Sequence, residues 1–358
     1  LTYEETGVTP ADSLSLLLKA IETVSELGAP QRLGLGHFAN VLEVEANLGI
    51  ALTTDGVGTK ILIAQMMDRY ETIGIDCVAM NVNDLLCVGA TPIAMVDYLA
   101  VEEPHERLLE EIGRGLAEGA RRANINICGG ELAQIRPMLQ GVKPDWGFDL
   151  VGTGVGVVNL DAIVSGAAIE HGDRILGLPS NGLHSNGYSL ARKVLLERRG
   201  VDVDSYVPEL GTSLGEELLK ETCIYVDEIV SLLQSEVPVK GLAHITGDGL
   251  GNLTRLATPM GFVIDRFPDE WIPSIFKLIQ ESGPVDLHEM FHVFNMGIGF
   301  CVIVSEDDVS RARTILSKPD RSAIELGYVD SSLHKGVRIE PFQLSWDQKT
   351  KRFHPYRT

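Results

Sequence analysis

Residues 149–159, DLVGTGVGVVN, read as a strand with two unlike faces. Successive side chains of a strand point to opposite sides. Val151, Thr153, Val155 and Val157 therefore share one face, and Gly152, Gly154 and Gly156 leave the other almost bare. A face without side chains lets another backbone or sheet approach closely. The expectation is a sheet whose glycine face receives another backbone or sheet at close range.

Upstream of this strand, helical and strand periods alternate. Leu14, Leu17, Leu18, Ile21 and Val24 form one face of a helix over 12–27, closed by Gly28 and Pro30. Short strands are expected at Ile50–Thr54, Ile93–Leu99 and Ile125–Cys128, with helices over 73–88 and 105–123. Downstream, Asn159–Asp173 reads as a connection, after which the pattern restarts. Strands follow at Arg174–Leu178, Leu242–Thr246, Phe300–Val304 and Ala323–Val329, with helices over 188–198, 215–234 and 306–317. Mixed elements in both halves indicate an α/β (α+β) chain of two domains, 1–165 and 166–340, with a tail over 341–358.

Composition narrows the function classes. The chain has 358 residues, enough for about two domains. Its 30 basic and 50 acidic residues give a net charge of −20, which argues against nucleic acid as a partner. No apolar run has the length of a membrane span, and Leu1–Glu5 do not begin a leader peptide. Five cysteines without paired spacing suit a reducing cytoplasm better than a disulfide scaffold.

Three motifs carry chemistry. Asp55-Gly56-Val57-Gly58-Thr59-Lys60 follows a strand. Its glycines can turn backbone N–H groups toward a phosphate, Lys60 adds a point charge, and Asp55 can hold Mg2+. The competing reading is a tight turn capped by an aspartate. Asn81 and Asp84 lie three residues apart on one face of an otherwise apolar helix. They are either a metal-ligand pair or part of a buried hydrogen-bonded network. Asp55, Asp84, Asp97 and Glu131 bring four acids into a short stretch, a donor set that suits Mg2+ on a polyphosphate. Ser180–Gly187 is a polar glycine loop ahead of a helix; its His184 is either a proton-transfer or hydrogen-bonding group, or a surface residue in a capping loop. His244-Ile245-Thr246-Gly247 repeats that chemistry and leaves the same two readings open.

These strings resemble one family. TDGVGTK (54–60), IGIDCVAMNVNDLLCVGATP (73–92), Asp97-Tyr98, Gly129–Glu131, LPSNGLHSNGYSL (178–190), His244–Gly247, Glu289-Met290 and FNMGIG (294–299) are similar in order and content to the phosphoribosylformylglycinamidine cyclo-ligases. YEETGV (3–8) resembles the family's start. The resemblance implies ATP- and Mg2+-dependent closure of formylglycinamidine ribonucleotide to an aminoimidazole ribonucleotide. It also implies a cytoplasmic homodimer of two-domain subunits, with N-terminal sheets joined across the dimer and a C-terminal α/β sandwich domain. On the matching positions it implies His184 and Lys60 as catalytic residues. Gly56, Gly58, Thr59, Asn81, Ser185, Asn186, His244 and Thr246 are implied for nucleotide and substrate, and Asp55, Asp84, Asp97 and Glu131 for metal. The chain departs from the family pattern over 27–40, over 132–136 and at Asp248, which interrupts the glycines after Thr246. Residues 1–50 hold no cysteine, which disfavours a selenophosphate-synthetase-like reading. A divergent nucleotide-binding relative with another ATP-dependent substrate remains the alternative.

Overall fold

The computed structural model describes residues 1–7, 21, 28–34, 36–319 and 321–356. Apart from Ile21, the helix expected over 12–27 lies outside these residues.

The N-terminal half is built on six strands: β1 (Gln31–Leu33), β2 (Asn40–Glu45), β3 (Leu48–Gly56), β4 (Thr91–Val101), β5 (Asn126–Gln134) and β6 (Phe148–Asn159). They are ordered β1-β2-β3-β6-β4-β5, so the glycine strand β6 stands between β3 and β4. Among the described residues three longer helices accompany them: α1 (Ile61–Met67), α2 (Glu71–Leu86) and α3 (Glu106–Ala123). In α3, Leu108, Ile112, Leu116, Ala120 and Ala123 make one buried stripe. Each large side chain in that stripe contributes about 1.5–3 kcal/mol by leaving water. Helix α2 is buried almost all round, including Asp76, Asn81 and Asn83. It fills the space between the sheet and the C-terminal half.

The glycine face of β6 is where expectation and structure differ. It receives α2 of the same chain. A Cβ on Gly152 would stand 2.5 Å from Asn81 Nδ2, and one on Gly154 would stand 3.1 Å from Leu85 and 3.2 Å from Asn81. The bare face therefore admits a helix and not a second subunit. The branched face points the other way: Val151, Val155 and Val157 are only half-buried, and Ile93, Val96 and Tyr98 are exposed.

The C-terminal half holds an eight-stranded sheet. Its strands are β7 (Arg174–Pro179), β10 (Gly241–His244), β11 (Met260–Ile264), β12 (Ile298–Val304), β13 (Ile324–His334), β14 (Val337–Ile339), β15 (Leu344–Asp347) and β16 (Arg352–Pro355). The order is β10-β12-β7-β13-β11-β14-β15-β16. A small hairpin, β8 (Tyr206–Val207) and β9 (Thr212–Ser213), lies apart from it. Helices α4 (Tyr188–Arg192, continued by a π-helical turn to Arg198), α5 (Leu214–Leu218), α6 (Val226–Leu233), α7 (Ser274–Ser282), α8 (Leu287–Val293) and α9 (Val309–Leu316) complete it. All seven residues of β12 are buried, which makes this the core strand of the half.

Two expectations change here. In the stretch expected as a tail over 341–358, the described residues 341–356 include β15 and β16, which pair within the sheet, with Trp346 packed edge-on against Phe353 at 5.1 Å. The helix expected over 215–234 is broken into α5 and α6. In the break, the N–H groups of Thr222 and Tyr225 donate to Asp76 Oδ1 (2.7 Å) and Asn83 Oδ1 (3.1 Å). Amides committed to side chains of α2 cannot continue a helix.

Candidate functional site

Helix α2 is the spine of the site. Asn81 Nδ2 donates to the Asp55 carbonyl at 3.2 Å and to the Cys77 carbonyl at 2.9 Å, tying the end of β3 to the helix. Asn83 Nδ2 donates to the Cys223 carbonyl at 2.8 Å. Asp84 Oδ1 meets His244 Nδ1 at 2.9 Å. Thus one helix, whose polar residues read ambiguously in the sequence, holds the first glycine turn, the 219–225 loop and the second glycine loop. The Asn81 amide nitrogen is committed to backbone carbonyls while its Oδ1 is buried without a partner among the described residues, and Asp84 remains partly exposed.

The acids do not all gather. Asp55 ends β3 and takes the Gly56 N–H on its Oδ1 at 2.8 Å. Burial, and then the charge of Asp84, push its carboxyl up to about 6. Asp55, Gly152 of β6 and Asp97 of β4 lie in one cross-strand row, so Asp97 stands two strands away from Asp55. That is about 10 Å between backbones at the usual strand spacing. Burial also raises the Asp97 carboxyl. Glu131 is paired with Tyr98 rather than with Asp97 and is exposed. The alternation of β5 therefore puts it with Tyr98, on the face opposite the Asp55 row. Among the described residues no three His, Cys, Asp or Glu side chains form a metal-holding group. The expected four-acid cluster is corrected to an electrostatically coupled pair, Asp55 and Asp84.

Lys60 is not a free point charge. Its Nζ is 2.7 Å from Asp76 Oδ2, with both side chains wholly inaccessible, and it donates to the Lys220 carbonyl at 2.6 Å. A catalytic contact with phosphate would require that buried pair to break, so this expectation is corrected as well. After His244, Arg255 also bears on Asp55, its charge acting to lower the Asp55 carboxyl. Its guanidinium lies 4.1 Å from the Phe38 ring centre and donates to the His37 carbonyl at 2.7 Å. Sequence spacing gave no sign of it, because Arg255 belongs to a 3-10 turn distant in sequence from the Asp55 motif.

The first glycine turn faces the Ser180–Gly187 loop. Gly58 adopts a positive φ of 70°, and a Cβ there would be 3.8 Å from the Ser185 carbonyl. Gly56 closes β3 beside Leu150, and Thr59 Oγ1 is 3.3 Å from Ser189 Oγ. Ser185 Oγ meets Thr222 Oγ1 at 2.9 Å. Asn186 Nδ2 is buried without a partner among the described residues. Its Oδ1 would lie 3.5 Å from a Cβ on Gly247, so the two glycine loops adjoin. Thr246 is half-buried, and its carbonyl accepts the Gly249 N–H at 3.2 Å. Asp248 sits in the interrupted glycine run with φ 69°, a left-handed conformation that aspartate tolerates better than most residues.

His184 is neither a surface residue nor an open proton-transfer group. It is 2% exposed, with its ring beside Tyr225 and Gly299. Its Nε2 accepts the Cys223 N–H at 3.4 Å, and its Nδ1 has no partner among the described residues. Burial, above all, holds it well below the usual histidine range. Burial therefore favours the neutral imidazole at His184. His244, fully buried, contacts Asp84 on one side and Asn83 Nδ2 at 3.4 Å on the other.

Two carboxylates at the end of a sheet, bordered by two glycine loops, can hold a cation together with a phosphorylated ligand. Comparison with known proteins identifies the family. Residues 36–158 match the family model described as AIR synthase related protein, N-terminal domain, and residues 170–340 match its C-terminal domain. A phosphoribosylformylglycinamidine cyclo-ligase of Pyrococcus furiosus is 46% identical over 352 residues, covering 96% of this chain and 98% of the relative. That of Methanothermobacter thermautotrophicus is 45% identical over 326 residues, covering 88% and 91%. Among solved structures, thiamine-monophosphate kinase from Stenotrophomonas maltophilia shares the fold with a TM-score of 0.59 at 18% identity, covering 92% of this chain and 96% of the other. A hydrogenase maturation protein, HypE, solved in complex with ATP, shares it with a TM-score of 0.57 at 18% identity, covering 90% and 91%.

Proposed function

The chain belongs to the phosphoribosylformylglycinamidine cyclo-ligase family, and on that premise we propose that its ring closure takes place between Asp55, Asp84 and the two glycine loops. It is a ligase of purine biosynthesis that converts formylglycinamidine ribonucleotide to 5-aminoimidazole ribonucleotide. In our reading ATP phosphorylates the formyl oxygen, giving ADP. An amidine nitrogen then bonds to the formyl carbon, and the activated oxygen leaves as phosphate.

The carrying observation is the pairing of Asp55, at the end of β3, with Asp84 on α2, two acids that bear on one space beside the glycine loops. That donor chemistry fits Mg2+, which when bound neutralises charge on the phosphates. Asp55 and Asp84 would hold it, and the Gly56–Thr59 turn presents backbone to the phosphates. Arg255 takes the part expected of Lys60, as the cation facing that charge. His244 orients Asp84. Asn186, with its unpartnered amide, is the loop residue best suited to a polar atom of the substrate.

The branched face of the N-terminal sheet, with Ile93, Val96 and Tyr98 exposed, is the surface on which a second subunit would pack. The homodimer thus uses the face opposite the glycines. Among the described residues no helix is long and apolar enough to cross a membrane. All five cysteines are free, which fits the cytoplasm. The test of this reading is ADP release on adding formylglycinamidine ribonucleotide, ATP and Mg2+, with formation of an aminoimidazole product. ADP release without that product would overturn it.

A further inference from the structure

Four elements meet at one buried charge. Asp76 on α2 is completely inaccessible, as is Lys60, whose Nζ contacts Asp76 Oδ2 at 2.7 Å. The other oxygen, Oδ1, accepts two hydrogen bonds from Thr222: its N–H at 2.7 Å and its hydroxyl at 2.8 Å. The Thr222 hydroxyl has one proton, and Asp76 receives it. The contact between Ser185 Oγ and Thr222 Oγ1 at 2.9 Å must then be donated by Ser185. Residue by residue, the chain runs from Lys60 at the end of the Asp55 turn, through α2 and the 219–225 loop, to the Ser180–Gly187 loop. The next peptide along, at Cys223, donates to His184 Nε2.

We infer that Asp76, with Lys60 and Thr222, is a positioning unit for the reaction: it fixes the Asp55–Lys60 turn and the Ser180–Gly187 loop against each other and turns the Ser185 proton inward. None of the three needs to touch the substrate. A Ser185 whose proton is committed to Thr222 meets a ligand only as an acceptor, so its complement is an N–H, such as that of an amidine, and not a phosphate oxygen. The arrangement also gives Asp76 a reason to be charged. Burial raises its carboxyl, but the Lys60 ammonium and the Thr222 donors all favour the ionised form.

This inference rests on the reading of the Asp55 turn and the Ser180–Gly187 loop as walls of the catalytic cleft, and Asp55→Asn tests that reading separately. The unit is tested with Thr222→Val, which keeps the shape and removes the hydroxyl, beside Thr222→Ser, which restores it. The expected result is a kcat lowered by about 10–100-fold in the valine variant, from misplacement of the loops. KM for ATP should stay within about twofold and the serine variant should recover most of the rate. A valine variant with wild-type kcat overturns the inference, as does a serine variant no better than the valine one. If Thr222→Val does not fold, Lys60→Met with Asp76→Asn removes both charges together and avoids leaving one alone. Lowered kcat with unchanged KM for ATP is expected there too, and wild-type kcat overturns the inference. If Asp55→Asn is inactive while Thr222→Val is normal, the positioning unit fails and the site reading stands.

Discussion

His244 Nδ1 stands 2.9 Å from Asp84 Oδ1, and its Nε2 stands 3.4 Å from Asn83 Nδ2. The amide can only donate to Nε2, so the ring proton lies on Nδ1 and points at the carboxylate. A histidine with no solvent exposure thus holds one oxygen of Asp84 in a fixed direction. Removing such an orienting partner typically costs 10–100-fold in metal affinity or activity, so His244→Ala should raise the Mg2+ concentration for half-maximal rate by about that factor. His244→Asn, whose amide can donate from nearly the same place, should recover part of the loss. An unchanged Mg2+ requirement in His244→Ala would show that His244 does not orient Asp84.

Asp55 gives a pH signature. Its carboxyl is raised from 3.8 to about 6, so the folded chain holds this proton over a range in which the unfolded chain has lost it. Stability from this group is therefore present at low pH and declines as pH rises from about 3.8 to about 6, then stays level. A shift of that size corresponds to about 3 kcal/mol at most. Asp55→Asn, which cannot ionise, should be more stable than the wild type at neutral pH in the absence of Mg2+. The difference should shrink toward pH 4. Turnover should move the opposite way, falling by several orders of magnitude. Denaturant titrations at the two pH values check the first point, and ADP release checks the second.

The glycines of β6 show both what a sequence tells and what it withholds. The alternation of Val151 to Val157 fixes which residues share a face, and the structure keeps that pairing. Which face is covered depends on where α2 lies, and nothing local encodes that. Lys60 is a similar case: a lysine after two glycines suits a phosphate, and only its tertiary neighbour Asp76 reveals that its charge is already used. Apolar periodicity made α2 and α3 legible to within a few residues. It could not find the break at 219–225, because the groups that end the helix there, Asp76 and Asn83, are some 140 residues earlier in the chain. Residues 341–358 are polar between Trp346 and Phe353, which hid two short strands.

The covered glycine face makes a prediction of its own. A valine at 154 meets Leu85 at 3.1 Å, Asn81 at 3.2 Å and Thr53 at 3.4 Å from its Cβ alone. Gly154→Val should destabilise the chain by about 1–3 kcal/mol through overpacking. The loss should appear in urea unfolding, and not as a change in subunit affinity beyond it. A variant that unfolds normally but dissociates would return the glycine face to the subunit interface.

The opposite face should behave in the reverse manner. Val155 lies on the half-buried branched face, where a charge is tolerated in a lone subunit. Val155→Glu should leave the secondary structure intact and shift the sedimentation mass from dimer to monomer at micromolar protein. A dimer that persists in Val155→Glu would place the interface elsewhere.

His184 supplies the last prediction. Its depressed pKa means that the folded chain keeps it neutral where the unfolded chain protonates it. The unfolded state then binds the extra proton, so stability from this group is present above about pH 6.5 and is lost as pH falls below that value. His184→Asn removes the titrating ring, and its stability should fall less steeply between neutral pH and about pH 5. The rate follows different logic. A ring buried under the loop acts by holding Ser185 and Asn186 in place, so kcat in His184→Asn should drop by about 10²-fold, the cost of a small misplacement. Because the imidazole is already neutral, the pH at which kcat reaches half its plateau should not move. If instead one limb of the wild-type pH–rate profile disappears in His184→Asn, the histidine exchanges a proton during turnover and the neutral, positioning role is wrong.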